Sequence, residues 1–352
     1  MSQALFNIAI IALSLTSVLL TVLFIITTII SVPLTALFRS LFFRRPGAIA
    51  KPVACGSGAK IEDATRIAGR DSIVDASKSR AWAQFCGFRG TTSISPVYSF
   101  PMLMEELFTK IVFTDSFPLS LIGVIHAKHV ITQYAVMPEA FSYSLAVTAV
   151  REVETGAECD VSMEIFNATD GKIANRTVCT FTSTDALKAK RARKNRPELT
   201  KAEKKAKTAL NPIKENNSNS FTNVIKKDHS LKYAKVSGDS NPIHHPTYCK
   251  LMGMNKPIMH GIYSLAVGVA KVFESYDLEG VYPVKIQCGW KLPLPIPKES
   301  TFEYGELKGN VGVDFENDKT YSRNVEFVCF REGKGGSKLP HLRGVVSFDS
   351  KF

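Results

Sequence analysis

The sequence predicts an α+β fold in which one helix followed by several antiparallel strands is made twice. Two regions each open on an apolar stretch with helical spacing and run on into segments of alternating polarity. A strongly basic, polar run separates them. A chain of 352 residues has room for one large domain or two ordinary ones, and 45% apolar residues suffice for a packed core.

The N-terminus stands apart from that body. Ala4 to Ile30 contains no charge, and no ionisable side chain precedes Arg39. About 20 apolar helical residues cross a bilayer. A secretory signal has a shorter apolar core, about 7–15 residues, behind a basic segment that is missing here. Residues 1–46 are therefore expected to be a single-pass N-terminal membrane anchor and its flank, with Pro33 and Pro46 at the end of the helix and the start of a linker. Arg39, Arg44, Arg45 and Lys51 follow the span, which puts the body on the cytosolic side of a membrane whose identity is left open.

The first block is placed at residues 47–187. Ser95 to Thr114 carries Met102, Leu103, Leu107, Ile111 and Val112 at helical spacing, and strand-like segments follow from Gly123 to Val136 and from Ala140 to Thr184, with a turn at Ala168 to Gly171. Residues 188–224 are read as a linker. Lys188 to Lys207 holds ten basic residues against Glu198 and Glu203, which is a net +8 of the chain's +12. The run has no apolar periodicity, so a solvated connection fits it, and an anionic membrane surface is a second possible neighbour. With no aromatic residue interleaved, nucleic-acid stacking is excluded.

The second block is placed at residues 225–352. His260 to Ser275 is apolar round most of its circumference, as a buried helix must be. Strand-like segments follow at Val281–Pro295, Ser300–Asp318, Thr320–Glu332 and Leu339–Ser350. Each sheet has one face to bury, and the helix of its own block can fill it. The seven cysteines are scattered without paired spacing, which suggests neither a disulfide framework nor a zinc site. Three Asn-x-Ser/Thr sequons, at Asn167, Asn175 and Asn216, would matter only in a lumenal body.

The chemistry is concentrated in two short motifs, SGDSNPIHHP from Ser237 to Pro246 and KPIMHG from Lys256 to Gly261. Asp239 and His244 lie five apart on a proline-bent segment, where a carboxylate and an imidazole can face one small volume and do general acid–base work on a water. Gly238, Asp239, Asn241 and Pro242 are also turn formers, so the stretch alone is equally read as a turn. Gly261 enters the apolar helix, whose N-terminal N–H groups would polarise a thioester carbonyl and stabilise the enolate that develops from it. Gly at 261 also lets substrate come close to the backbone. These parts suit the addition of water to a double bond conjugated with a carbonyl, or its removal.

Tyr233 to Gly261 resembles the signature of the MaoC-like, (R)-specific enoyl-CoA hydratase (hydratase 2) family, roughly [YF]-A-x-x-S-G-D-x-N-P-[IL]-H, then a short helical stretch ending in Gly, then P-[IV]-x-H-G. Tyr233, Ala234, Ser237, Gly238, Asp239, Asn241, Pro242, Ile243, His244, Gly253, Pro257, Ile258, His260 and Gly261 match it. The resemblance implies a double hot-dog, two antiparallel sheets each wrapped round a central apolar helix. It also implies reversible hydration of trans-2-enoyl thioesters to (R)-3-hydroxyacyl thioesters in fatty-acyl metabolism.

By the same resemblance Asp239 and His244 hold the water, Asn241 orients them and the Gly261 amide binds the thioester oxygen. Ser237, Gly238, His260 and Trp290 are placed on the substrate, and the segment Gly289 to Pro297 resembles the family's overhanging strand. The first block lacks the motif, and the resemblance makes it an inactive copy whose region from Phe100 to Ile122 makes room for the acyl chain. A shorter loop at His245-Pro246, with Tyr248, Cys249 and Lys250 beyond it, departs from the family pattern and reshapes the acyl wall. No metal or redox cofactor is implied. The partner implied is an acyl-CoA or acyl-carrier-protein thioester, and a homodimer is left open, because a double hot-dog can close its pseudo-dimer within one chain. A hot-dog thioesterase and a non-catalytic acyl-thioester-binding protein are the rival readings.

Overall fold

The computed structural model describes residues 65–89, 93–114, 117–120, 124–185, 219–252, 254–307, 321–333 and 336–350. The expected anchor at Ala4 to Ile30, the sequon at Asn216, Gly253 and most of the basic linker lie outside them. Among the described residues no helix is long and apolar enough to cross a membrane.

The first half runs β1 (Ile67–Ile73), α1 (Ala76–Phe85), a 3-10 turn at Pro96–Tyr98, α2 (Ser99–Leu107) and a π turn at Phe108–Val112. It continues with β2 (Val124–Gln133), β3 (Ala140–Val153), β4 (Gly156–Asn167) and β5 (Ile173–Thr184). The second half repeats that order: β6 (Asn219–Ile225), α3 (His229–Ser237), 3-10 turns at Pro242–His244 and Tyr248–Met252, and α4 (Gly261–Tyr276). It ends with β7 (Val284–Trp290), β8 (Lys298–Glu306), β9 (Arg323–Glu332) and β10 (Lys338–Phe348). The linker expected over 188–224 therefore ends earlier, because Asn219–Ile225 pairs residue for residue with Lys298–Tyr304 of β8.

All ten strands form one sheet in the order β1-β3-β4-β5-β2-β7-β10-β9-β8-β6. Read from its two ends the order is the same, β1-β3-β4-β5-β2 against β6-β8-β9-β10-β7, which is the pseudo-twofold arrangement of a double hot-dog. The halves meet where β2 and β7 pair antiparallel, Lys128 opposite Gly289 through Gln133 opposite Val284.

Each half fills its curved inner face with its own helix. Leu103, Leu107 and Ile111 are sealed from solvent beneath the first half, and Leu265, Ala266, Val269 and Val272 beneath the second. Burial of such side chains contributes roughly 1.5–3 kcal/mol each for the larger ones. α4 presses so closely on the sheet that a Cβ on Gly268 would stand 2.6 Å from the Phe327 ring. Six cysteines, Cys86, Cys159, Cys179, Cys249, Cys288 and Cys329, are free and buried. Asn175 is fully buried, so its sequon is not presented at the surface.

α1 and α3 pair across the two halves. Asp75 caps α1, its carboxylate accepting from the amides of Ser77 and Lys78 at 3.0 Å, a cap of the kind that contributes about 1 kcal/mol. The buried Trp82 indole N–H donates to the Tyr233 hydroxyl at 3.3 Å, and Phe85 packs on Tyr233 and Tyr263. The segment around Phe100 is an unbroken helix followed by a π turn, and the Phe100 ring rests against His126 and His129. Phe117 and Leu119 are also sealed in the core, so the described part of Phe100 to Ile122 fills space instead of opening it.

Candidate active site

α3 delivers the first motif. It ends at Gly238, whose φ of +83° is the left-handed conformation that stops a helix and that a side chain would strain. The chain then folds on its own polar groups. The Asp239 amide donates to Ser237 Oγ at 3.1 Å, the Asn241 amide to Asp239 Oδ1 at 3.1 Å, and the Ile243 amide to Asn241 Oδ1 at 3.2 Å. Pro242 to His244 form one 3-10 turn. The turn reading of this stretch holds, and the turn is what aims the Asp239 carboxylate and the His244 imidazole.

His244 is fixed by Nδ1–H, which donates to the Ile258 carbonyl at 2.8 Å and leaves Nε2 with its lone pair. Burial pushes its pKa below the ordinary value of 6.5, so the ring is a neutral base. The His260 ring stacks on it, centroids 3.7 Å apart, and His260 Nε2–H donates to the Asp239 carbonyl at 3.1 Å. Burial and the neighbouring His244 hold His260 down to about 3. One donor atom from each of Asp239, His244 and His260 lies within 4.8 Å of the others, so the three converge on one volume.

KPIMHG is clamped from the other side by the overhang. The Met259 amide donates to the Leu294 carbonyl at 2.8 Å, and the Ile296 amide to the Pro257 carbonyl at 3.0 Å. His341 ties this overhang to α4, with Nδ1 donating to the Leu292 carbonyl at 2.6 Å and Nε2 meeting Ser264 Oγ at 2.9 Å. Gly261 opens α4, where the first N–H groups have no intrahelical acceptor and the dipole is positive. A Cβ there would stand 2.7 Å from Trp290 Nε1, so the indole occupies the space that glycine vacates. That Nε1–H is buried and has no acceptor. The Trp290 indole and the N-terminus of α4 therefore lie against one another.

Other expected residues take different places. Ser237 is buried with its hydroxyl accepting from Asp239, and Gly238 is the helix stop, so both shape the turn. His260 is 1% exposed and its Nε2–H is engaged with the Asp239 carbonyl, which braces the turn. His245 Nδ1 accepts from the amides of Thr247 and Tyr248, and its ring stacks on Tyr248 at 4.1 Å, so these two residues close the loop on themselves.

The sequence reading passed over one group beside this site. His126 packs on Trp290 with ring centroids 4.8 Å apart and feels the charge of Asp239. His129 and Cys179 lie with it, donor atoms within 4.8 Å. His126 and His129 are three apart in a strand, a spacing that ordinarily sends them to opposite faces.

The MaoC like domain family matches residues 201–291. No curated protein matches the chain in sequence. Among solved structures, HtdX of Mycobacterium tuberculosis is similar with a TM-score of 0.58 and 20% identity, covering 80% of this chain and 99% of that one. A MaoC-like dehydratase from Phytophthora capsici gives 0.60 and 13%, covering 83% and 97%. The full-length peroxisomal multifunctional enzyme type 2 from Drosophila melanogaster gives 0.53 and 15%, covering 81% of this chain and 48% of that one. At these identities the likeness speaks for the fold, and the matched family covers the whole acid–base turn. The chain therefore carries a MaoC-like domain over residues 201–291, set in the second half of a double hot-dog.

Proposed function

We propose that the chain is a hydro-lyase that reversibly hydrates trans-2-enoyl thioesters to (R)-3-hydroxyacyl thioesters. The observation that carries this reading is the convergence of Asp239 and a neutral, correctly oriented His244 beside the N-terminus of α4. A water held between the carboxylate and His244 Nε2 would lose a proton to this pair as its oxygen bonds to C3. The double-bond electrons move to the thioester oxygen, where the Gly261 amide and the Trp290 indole N–H would receive the developing charge. The proton then returns to C2, so one water is added across the double bond and none of the protein is consumed.

The first half would contribute to the approach to the site. A Cβ on Gly238 would stand 3.5 Å from Lys78 Nζ and 3.6 Å from Met104 Cε, so both side chains reach the turn that bears Asp239. The apolar span Ala4 to Ile30 would tether the body to a membrane, with the catalytic half in the cytosol.

The test follows the conjugated enoyl absorbance of medium-chain and long-chain trans-2-enoyl-CoA beside a free-thiol assay and chiral analysis of the product. Loss of the enoyl band without thiol release, giving the (R)-alcohol and abolished in Asp239→Asn and His244→Gln, is the expected result. Thiol release, with the enoyl-thioester band lost to the free enoic acid and no 3-hydroxyacyl thioester formed, would replace the hydratase by a thioesterase.

A further inference from the structure

Beneath Trp290, where the halves join, the sheet turns a set of soft donors to its inner face. In β2 the register against β5 slips by one between His126 and Lys128, so that His126 faces Phe181 and His129 faces Cys179. Phe181 and Cys179 are two apart in β5 and share a face, so the bulge at Ala127 brings the two histidines to the same side. On the other flank of β2, Cys288 of β7 stands opposite His129, a further sulfur on that face. Phe100 covers the group, its ring centroid 5.2 Å from His126 and 5.5 Å from His129.

The separations are those of a shared ligand. His126 Nε2 and His129 Nδ1 are 3.2 Å apart, and Cys179 Sγ is 3.5 Å from the same His129 Nδ1. For a tetrahedral zinc ion with Zn–N about 2.0–2.1 Å and Zn–S about 2.3 Å, donor atoms stand about 3.3–3.6 Å from one another. Hydrogen bonding among the same atoms requires His129 Nδ1 to accept from both neighbours, since an Nδ1–H donated to His126 would leave the Cys179 thiol without its acceptor.

The geometry points to a binding site for a zinc-class divalent cation formed by His126 Nε2, His129 Nδ1 and Cys179 Sγ, separate from the Asp239, His244 and His260 set. Cys179 binds as the thiolate and its proton passes to solvent on metal entry, which takes place past the half-buried His126. The ion would tie β2 to β5 directly under the wall formed by Trp290.

The test uses the full-length chain, treated with a chelator and titrated with Co2+ as an optical substitute for Zn2+. The expected result is a thiolate-to-cobalt charge-transfer band with strong visible bands of tetrahedral coordination, displaced by Zn2+. Cys179→Ser, checked for its fold by circular dichroism, should lose the charge-transfer band. His126→Gln, which changes the more accessible ligand, should bind at least about tenfold more weakly. Asp239→Asn should bind as the parent does while losing hydration, which separates this site from the catalytic reading. A folded parent without the thiolate band, a band that survives Cys179→Ser, unchanged affinity in His126→Gln, or loss of binding in Asp239→Asn would each overturn it.

Discussion

The segments that lead into the two central helices are the sharpest contrast in the molecule. In the first half Cys86 to Tyr98 joins α1 to α2, and Cys86, Phe88, Val97 and Tyr98 are all buried there. In the second half Gly238 to His260 joins α3 to α4, a longer connection that holds Asp239, Asn241, His244 and His260 in a web of main-chain hydrogen bonds. One copy of the unit uses this connection for packing, the other to bring a carboxylate and two imidazoles together. What the first copy gives to the site comes from elsewhere, through α1 against Tyr233 and through His126 against Trp290.

That contrast is broken most severely by Asp239→Asn or His244→Gln. Each should lower kcat for hydration by about 10²–10⁴-fold, the usual worth of a positioned acid–base group, while the thermal transition stays near that of the parent. A similar loss on changing a polar residue of Cys86 to Tyr98 would erase the distinction between the halves.

Gly261→Ala comes next. Its methyl would meet the Trp290 indole at 2.7 Å, and overpacking of this kind costs about 1–3 kcal/mol. Activity should fall with stability, and Trp290→Phe in the same chain should restore part of the stability but not the activity, since it removes the second donor. Steady-state kinetics beside thermal melts separate the two effects.

Tyr233→Phe sharpens the link between the halves. It strips the Trp82 indole of its acceptor, a buried donor left alone at a cost of about 1–3 kcal/mol, with kcat moved less than by the catalytic variants. Urea unfolding at fixed pH measures it.

The remaining effect is the response to pH. Burial holds His260 to about 3 and His341 to about 4, below their ordinary value of 6.5, so the unfolded chain binds more protons in that window. Stability should be highest above pH 6.5 and decline progressively as the pH falls towards 4 and 3. Because His244 is also lowered, the acid limb of kcat/KM should lie below 6.5.

Much of this was legible in the residues. The strands from Val124 to Thr184 and from Val284 to Phe348 alternate because one face is buried, and the sequence pattern locates them. The convergence of Asp239 and His244 was legible because they lie in one short stretch that also resembles a family signature. Edge strands β1 and β6 were not. IAGRDSI carries Gly69 and a left-handed Asp71, and NSFTNVI has little apolar content, since an outer strand has less to bury. Helix α1 escaped because ASKSRAWAQF buries only Ser79, Trp82 and Ala83. The cluster of His126, His129 and Cys179 was hidden for another reason. Its members converge only through a bulge at Ala127 and a cross-strand pairing, and no spacing along the chain records either.

The pairing of β2 with β7 also sets an order of events during synthesis. β2 finds its first partner, β5, within its own half, but its other side waits for residues 284 to 289, which leave the ribosome only after the basic run and the helical part of the second half. Until then the growing chain displays an incomplete strand margin at the place where the histidines and Trp290 will meet. A message truncated between the halves would release a product with that margin permanently open, a template for pairing with a sister molecule or for capture by chaperones. The join that completes the sheet is thus also the step at which the nascent chain stops being adhesive.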